Sequence, residues 1–228
     1  MKTIFFDAGP IISLVMSRLD WILPELKKHF GGQFYITPAV KIELIDRPLK
    51  IKRFGFEALQ VMKHIREGTL EIYKQVPDKR VLELKNLANS SFKIGNKNMD
   101  IIQAGEMESV ASALQIGSDA VVMDERTLRL FIENSKEMEK LLEIRFKKDV
   151  TSNPTKMKKF SEQLKKVKII RSIELVSTAY KLGILDGYIP RLKTGKQMLV
   201  NSILWTTKFN GCAVTTHEIE ELERFLLK

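Results

Sequence analysis

Acidic side chains follow two short apolar segments of this chain. Asp7 comes directly after Thr3–Phe6, and Asp124 comes directly after Ala120–Met123. Each segment has the length and composition of a buried strand. Parallel sheets bind ligands at the carboxyl ends of their strands. We therefore expect the two aspartates to lie at one edge of a sheet, where they can do chemistry together.

Two glutamates occupy helical positions from which they can reach the same edge. Thr37 and Pro38 form a cap and a first helical residue, and Glu43 lies one to two turns into the helix that they begin. Glu106 opens a later helix whose apolar face should pack on the sheet. Glu108 points elsewhere unless the first turn of that helix lies across the mouth of the site.

Several carboxylates that converge without basic partners repel each other, and a hard divalent cation compensates them. Mg²⁺ and Mn²⁺ prefer oxygen ligands, and two such ions activate a water molecule and stabilise the leaving oxygen of a phosphodiester. Taken singly, each acid is more often a helix cap or a solvated residue. Their joint placement favours a phosphohydrolase or nuclease whose carboxylates bind metal, with candidate positions at Asp7, Glu43, the Glu106 and Glu108 pair, and Asp124.

The charge of the chain is concentrated in one segment. The 228 residues include 38 Lys and Arg against 28 Asp and Glu, a net charge of +10, and residues 144–171 alone carry +8. The basic residues of this segment are Arg145, Lys147, Lys148, Lys156, Lys158, Lys159, Lys165, Lys166, Lys168 and Arg171. They predict either a solvated helical arm or, as we favour, an arm that follows the phosphates of RNA to the acidic site.

The composition excludes several other classes of protein. A single cysteine, Cys212, rules out an internal disulfide, and one cysteine with three scattered histidines rules out an ordinary zinc site. The chain lacks a Gly-rich phosphate loop and a dinucleotide fingerprint. Gly9 stands where a haloacid-dehalogenase-type enzyme has its second acid. No window is apolar enough to span a membrane, so we expect a cytoplasmic protein without a membrane partner.

Short apolar strands alternate with helices, which predicts an α/β fold: a three-layer α/β/α sandwich with a central, mainly parallel sheet. We expect one domain over residues 1–228, a basic helical insertion at about 136–168 and a C-terminal helical extension at about 190–228. The pattern also predicts a strand over Leu70–Val76 and a polar loop over Asn89–Asn98.

Several segments resemble, in order, the motifs of PIN-domain (PilT N-terminus) proteins: Ile4–Leu14, Ile36–Leu44, Gly105–Ala111, Val121–Arg126 and Ala179–Ile184. The third resembles the Gly-Glu-x-Glu-Ala segment of an archaeal and bacterial subgroup and, distantly, the flap endonucleases. The resemblance implies a PIN-like sandwich, a Mg²⁺ or Mn²⁺ site and ribonuclease activity. By matching position it implies Asp7, Glu43, Glu106 and Asp124 as metal ligands, with Glu108 as a fifth.

The resemblance leaves the biological role open. A toxin silenced by an antitoxin protein and a housekeeping RNA-processing nuclease are both compatible with it, and small PIN proteins often form homodimers. Two further alternatives are a structure-specific DNA nuclease and a non-catalytic RNA-binding or interaction module that keeps the PIN scaffold.

Overall fold

A computed structural model describes residues 2–133 and 135–228 of the chain. Six side chains near residue 134 lie outside this description, and Arg126 of the fourth motif is one of them. The six are Arg126, Arg129, Ile132, Glu133, Ser135 and Lys136.

A parallel sheet of five strands forms the centre of the fold, in the order β3-β2-β1-β6-β8. Its strands are β1 (Thr3–Phe6), β2 (Gln33–Ile36), β3 (Glu71–Ile72), β6 (Ala120–Val122) and β8 (Ile169–Ile170). In the register, Phe6 pairs with Ile36 on one side and Val122 on the other, so β2, β1 and β6 end at the same level. The carboxyl ends of these strands therefore meet at one edge, as predicted.

Helices cover both faces of the sheet, which confirms the predicted three-layer α/β/α class. The helices are α1 (Ala8–Met16), α2 (Ile22–Phe30), α3 (Pro38–Lys41), α4 (Gly55–Arg66), α5 (Asp78–Asn89), α6 (Ala104–Ile116), α7 (Arg126–Glu133), α8 (Ser135–Phe146), α9 (Pro154–Leu164), α10 (Ser172–Lys181), α11 (Gly195–Phe209) and α12 (Thr216–Leu226). A π-helical turn (Ile42–Asp46) continues α3, and 3₁₀ turns lie at Pro48–Lys50 and Asp186–Tyr188.

The alternation of side chains along β1 shows why both layers are needed. Ile4 and Phe6 pack into a core cluster with α1, α2, α10 and α11, whereas Phe5 packs into a second cluster with α5, α6 and α9. All three side chains are buried. A strand that is apolar on both faces is stable only when helices cover both.

The basic segment is built into the fold and is not an arm, which corrects the expectation from its charge. Helix α9 places Met157, Phe160 and Leu164 in the second core cluster. The Phe160 ring packs edge-on against Phe131, with centroids 4.5 Å apart. The lysines of α9 therefore occupy the outer face of a helix whose inner face is part of the core.

A second, three-stranded antiparallel sheet replaces the predicted loop at 89–98. Strands β4 (Phe92–Ile94) and β5 (Lys97–Asn98) form a hairpin, and β7 (Thr151–Ser152) of the basic segment pairs with β4. Phe92 is buried in the second core cluster. This sheet was not predicted, because its strands are polar in composition and the strand that completes it lies almost 60 residues further along the chain. The strand predicted over Leu70–Val76 is also shorter, because only Glu71–Ile72 pairs with β2.

The proposed limits of the basic insertion (136–168) and of the C-terminal extension (190–228) remain predictions. Helices α8 and α9 lie within the first, and α11 and α12 within the second. Across the described residues, none of the helices has both the length and the apolar character that crossing a membrane requires.

Candidate metal centre

Asp7 lies at the junction of β1 and α1 and is buried. Its Oδ2 accepts a long hydrogen bond, 3.5 Å, from the Gly9 N–H, so it also caps α1. Burial raises the pKa of Asp7 to about 6, against the opposing effect of the Ala8 N–H. Burial therefore disfavours the ionised form of this carboxyl group.

Glu106 projects from the first turn of α6 and is also buried. Its Oε2 accepts a hydrogen bond of 2.9 Å from the Gln103 N–H, which closes a capping interaction at the start of the helix. Burial, followed by the charge of Asp7, raises the pKa of Glu106 to about 8. Two neighbouring carboxyl groups with raised pKa values are typical of functional sites.

Glu43 reaches the same region from the π-helical turn that continues α3, and π-helical turns often occur at functional sites. The side chain is half-buried. Burial raises the pKa of Glu43, the positive charge of Arg47 opposes this rise, and the charge of Glu108 adds to it.

Asp124 follows β6 and is held by three hydrogen bonds from two serines. The Ser172 N–H donates to Oδ1 at 2.7 Å, the Ser172 hydroxyl donates to Oδ2 at 2.7 Å, and the Ser13 hydroxyl donates to Oδ2 at 2.8 Å. Because an ionised carboxylate has about four acceptor sites, these bonds leave Asp124 room for about one further contact.

These side chains surround one cleft of about 210 Å³ at the carboxyl ends of β1 and β6. Its acidic lining consists of Asp7, Glu43, Glu106, Asp124 and Glu125. The structure thus brings together all four acids that the sequence predicted as catalytic.

Two glycines leave the space between the carboxyl groups open. A Cβ atom on Gly105 would lie 3.2 Å from Glu43 Oε1 and 3.7 Å from Asp7 Oδ1. A Cβ atom on Gly9 would lie 3.7 Å from Asp7 Oδ2 and 3.6 Å from the Asp124 Cβ atom. A side chain at either position would occupy the volume toward which the carboxylates converge.

The structure places Glu108 differently from the other predicted ligands. Its Oε2 accepts a hydrogen bond of 2.9 Å from the Ala39 N–H, at the start of α3. This bond fixes α3, and with it the turn that carries Glu43, against α6. Glu108 thus has a positioning contact, and its predicted role as a fifth ligand remains untested.

Sequence reasoning missed Glu125, which lines the cleft next to Asp124. Its Oε1 accepts hydrogen bonds from the backbone N–H and the hydroxyl of Thr127. Arg145 Nη1 of the basic segment lies 3.9 Å from the same oxygen. The sequence places Glu125 directly after Asp124, which was the available signal. Sequence position alone does not show whether one or both of these adjacent acids face a cleft.

The C-terminal part of the chain also reaches the cleft, which the sequence did not indicate. Gly211 lines the cleft, the Asn210 carbonyl accepts a hydrogen bond from Ser13, and the Ala213 N–H donates to the Asp124 carbonyl. Cys212 between them is buried, and burial raises the pKa of its thiol to about 12. The segment therefore closes one side of the cleft.

The surroundings of the cleft differ on its two sides. An apolar pocket of about 250 Å³ adjoins it and shares Ile12 and Glu43 with it; Val15, Leu44 and Val61 line this pocket further in. Arg145 borders the other side through Glu125. Arg145 therefore places positive charge at the Glu125 side of the cleft.

The ten basic residues of the segment do not share one surface. Arg171 is largely buried and pairs with Glu174 at 2.6 Å and Glu218 at 2.8 Å, so it fastens α10 and α12 and we omit it from the RNA-contacting set. Lys159 and Lys166 line grooves against α5 and the far end of α6. The other predicted contacts, Lys147, Lys148, Lys156, Lys158, Lys165 and Lys168, lie at or near the surface.

The acids of the cleft fit Mg²⁺ or Mn²⁺ in their donor chemistry, since all are oxygen ligands, and the two glycines leave room for an ion. As the side chains stand in the described part of the chain, no group of three His, Cys, Asp or Glu residues converges closely enough to hold an ion. Binding would thus draw the carboxylates together. Among the four predicted ligands, Asp7, Glu106 and Asp124 are buried, so the half-exposed Glu43 has the most freedom to move.

Comparisons with protein-family models, with curated proteins and with solved structures found no match to this chain. Membership of the PIN-domain family therefore remains a prediction, and the geometry of the cleft is the evidence for function.

Proposed function

We propose that this protein is a metal-dependent nuclease of the PIN type that hydrolyses the phosphodiester bonds of RNA. The observation that carries the proposal is the cleft at the carboxyl ends of β1 and β6, which five carboxyl groups line. Burial raises the pKa of Asp7 to about 6 and the pKa of Glu106 to about 8, so it disfavours their ionised forms, and a bound cation would stabilise those forms.

Asp7 and Glu43 would hold Mg²⁺ or Mn²⁺, because their oxygens lie beside the space kept open by Gly105 and Gly9. Glu106 lines the same cleft and would complete the set. When bound, the metal would supply an activated water and stabilise charge on the phosphate. Asp124 would add one contact from a position fixed by its serine partners.

The basic residues around the cleft support a polyanionic substrate. An acidic site repels RNA unless positive charge nearby attracts its phosphates. Arg145 provides such charge at the rim, next to Glu125. The resemblance to PIN-domain proteins favours RNA over DNA as the substrate.

The test is cleavage of labelled single-stranded RNA with Mg²⁺ or Mn²⁺, by the wild type and by Asp7→Asn. The matched control is Asp186→Asn, an exposed aspartate in a surface turn. We expect cleavage by the wild type and the control, and a loss of at least about 100-fold in Asp7→Asn, the order of effect of removing one preorganised charged group. Equal cleavage by Asp7→Asn, or cleavage that survives EDTA, would overturn the proposal.

One observation favours a second candidate, a non-catalytic RNA-binding module. Within the described residues no three acids are close enough to hold an ion as they stand, and Asp124 is already held by Ser13 and Ser172. Retained RNA binding without cleavage in any divalent metal would select this candidate. A flapped DNA duplex in the same assay tests the structure-specific DNA nuclease, which requires cleavage of that substrate in preference to RNA.

A further inference from the structure

The three-stranded sheet connects the acidic cleft with the basic segment. Its hairpin, β4–β5, leads into Gln103 and the start of α6, where Glu106 lies. Asn89 fixes this connection, because its Oδ1 accepts hydrogen bonds from the N–H groups of Ile101 and Ile102. The third strand, β7, follows directly after the turn that carries Lys147 and Lys148.

Four lysines are exposed on or beside this sheet. Lys93 lies on the central strand and pairs with Asn98 of β5 and Thr151 of β7, so it lies between its neighbours. Lys97 lies on the hairpin edge, and Lys147 and Lys148 precede β7. All four side chains are exposed. Lys93 and Lys97 are not among the basic residues that the sequence predicted to contact RNA.

The backbone of Lys147 supports a functional reason for this arrangement. Its φ angle is +52°, in the left-handed region that glycine adopts without strain and other residues rarely adopt. A lysine in this conformation costs stability that glycine would not. Such strain concentrates at functional sites.

The position of Arg145 gives the direction in which a strand would run. Arg145 lies two residues before Lys147 and contacts Glu125 at the rim of the cleft. Basic residues therefore extend from the rim of the cleft to the outer face of the small sheet. The pocket that adjoins the cleft at Ile12 has a mostly apolar lining, and its charged lining residues, Glu43 and Glu57, are acidic.

The lysines of α9 face a different part of the molecule. Lys159 lines a groove with Arg80 of α5, and Lys166 lines a groove with Leu114 and Gln115 at the end of α6. Glu106 lies at the start of that helix, so Gln115 in the Lys166 groove is about 14 Å from it along the helix at 1.5 Å per residue.

We propose that Lys93, Lys97, Arg145, Lys147 and Lys148 form the surface along which a single RNA strand approaches the cleft; we call it the approach surface. The lysines on the groove side of α9 do not contact that strand. The inference rests on the proposed function and names the substrate path for the same site.

The experiment compares two triple variants that each remove three positive charges from exposed or groove-facing lysines. Lys93→Ala/Lys97→Ala/Lys148→Ala alters the approach surface, and Lys159→Ala/Lys165→Ala/Lys166→Ala alters α9. Binding of a fluorescein-labelled single-stranded RNA is measured in EDTA, so that no cleavage occurs, over a range of salt concentrations. Circular dichroism checks that both variants fold.

Each phosphate contact on a single strand contributes about 0.7 to the slope of log affinity against log salt concentration. We therefore expect the approach-surface variant to lose about two units of slope and to bind more weakly at low salt, while the α9 variant keeps the wild-type slope. Equal slopes in the two variants, or a loss confined to the α9 variant, would overturn the inference.

The outcomes also separate this inference from the proposed function. If the wild type binds and cleaves RNA while the two variants behave alike, only the approach surface is wrong. If the wild type neither binds nor cleaves RNA, the proposed function is wrong and the approach surface with it.

Discussion

Ser172 donates two hydrogen bonds to Asp124, from its backbone N–H to Oδ1 and from its hydroxyl to Oδ2, both at 2.7 Å. The two residues are buried and lie at the ends of neighbouring parallel strands, β6 and β8. This pair ties the start of α10 to the acidic cleft. It also fixes the orientation of the Asp124 carboxylate beside the other acids of the cleft.

Replacing Ser172 by alanine should therefore destabilise the protein. Hydrogen bonds to charged groups contribute about 1.5–3 kcal/mol, and part of the interaction remains through the backbone N–H, so we expect a loss of about 1–2 kcal/mol in the free energy of unfolding. Urea unfolding measures it. The control is Ser202→Ala, an exposed serine that donates to a helix carbonyl, which should change stability by less than about 0.5 kcal/mol. Similar values for the two variants would contradict the assigned role of Ser172.

The raised pKa of Glu106, about 8, predicts an unusual dependence of stability on pH. The folded state holds a proton on this carboxyl group that the unfolded state has released above its ordinary value of 4.5. The stability contribution of Glu106 is therefore full at acidic pH and is lost as the pH rises through 8. In EDTA we expect the free energy of unfolding to fall by about 1–3 kcal/mol between pH 5 and pH 8 from this group.

Glu106→Gln should flatten this fall, because glutamine has no proton to release. The exposed Glu162→Gln is the control and should keep the wild-type profile. Metal binding requires the deprotonated ligand, so Mn²⁺ should raise the melting temperature of the wild type at pH 8 more than at pH 5. A wild-type profile in Glu106→Gln would show that another group causes the fall.

Gly105→Ala tests the open space between the carboxylates. The added Cβ would lie 3.2 Å from Glu43 Oε1 and 3.4 Å from Val40 Cγ2, so the Glu43 carboxylate must shift from its present position. We expect Mn²⁺ affinity, measured by calorimetry, to fall about tenfold, which corresponds to about 1.4 kcal/mol.

Gly55→Ala is the matched control, because no heavy atom lies within 4 Å of a Cβ at that position and the residue is also helical. It should bind Mn²⁺ like the wild type. Unchanged affinity in Gly105→Ala would mean that the ion does not occupy the space between Glu43 and Asp7.

Phe160→Ala tests whether the basic segment is part of the folded core. The ring is fully buried and packs against Phe131, so its removal should cost about 3–5 kcal/mol, as for other buried aromatic residues. Lys158→Ala, two residues earlier on the exposed face of α9, should change stability by less than about 0.5 kcal/mol. Thermal unfolding of both variants measures the difference. A small effect of Phe160→Ala would restore the view of a solvated arm.

Local patterns were sufficient for the central sheet and for the acids. Phe5 and Phe6 are apolar neighbours that need cover on both faces, and Asp7 directly follows them at a strand end. Such information lies within a few residues of the chain. It therefore predicted the parallel sheet and the edge at which Asp7, Glu43, Glu106 and Asp124 meet.

Contacts between distant residues were beyond those patterns. Phe92 pairs with Ser152 in a sheet whose strands look like polar loop, and Ser172 reaches Asp124 from 48 residues away. The sequence also marked residues 144–171 as strongly basic, but it could not show that Phe160 packs in the core. Nor could it show that Arg171 forms ion pairs with Glu174 and Glu218.

The sequence by itself thus determined which residue types stand at the strand ends, because strand length, helix start and charge are local properties. Only the tertiary structure decided which of those groups face the cleft. It placed Glu125 in the cleft beside Asp124, turned Glu108 to the start of α3, and placed Lys159 and Lys166 in grooves beside α5 and α6. The physical reason is that the direction of a side chain depends on packing against elements far away in the chain, which no local pattern contains.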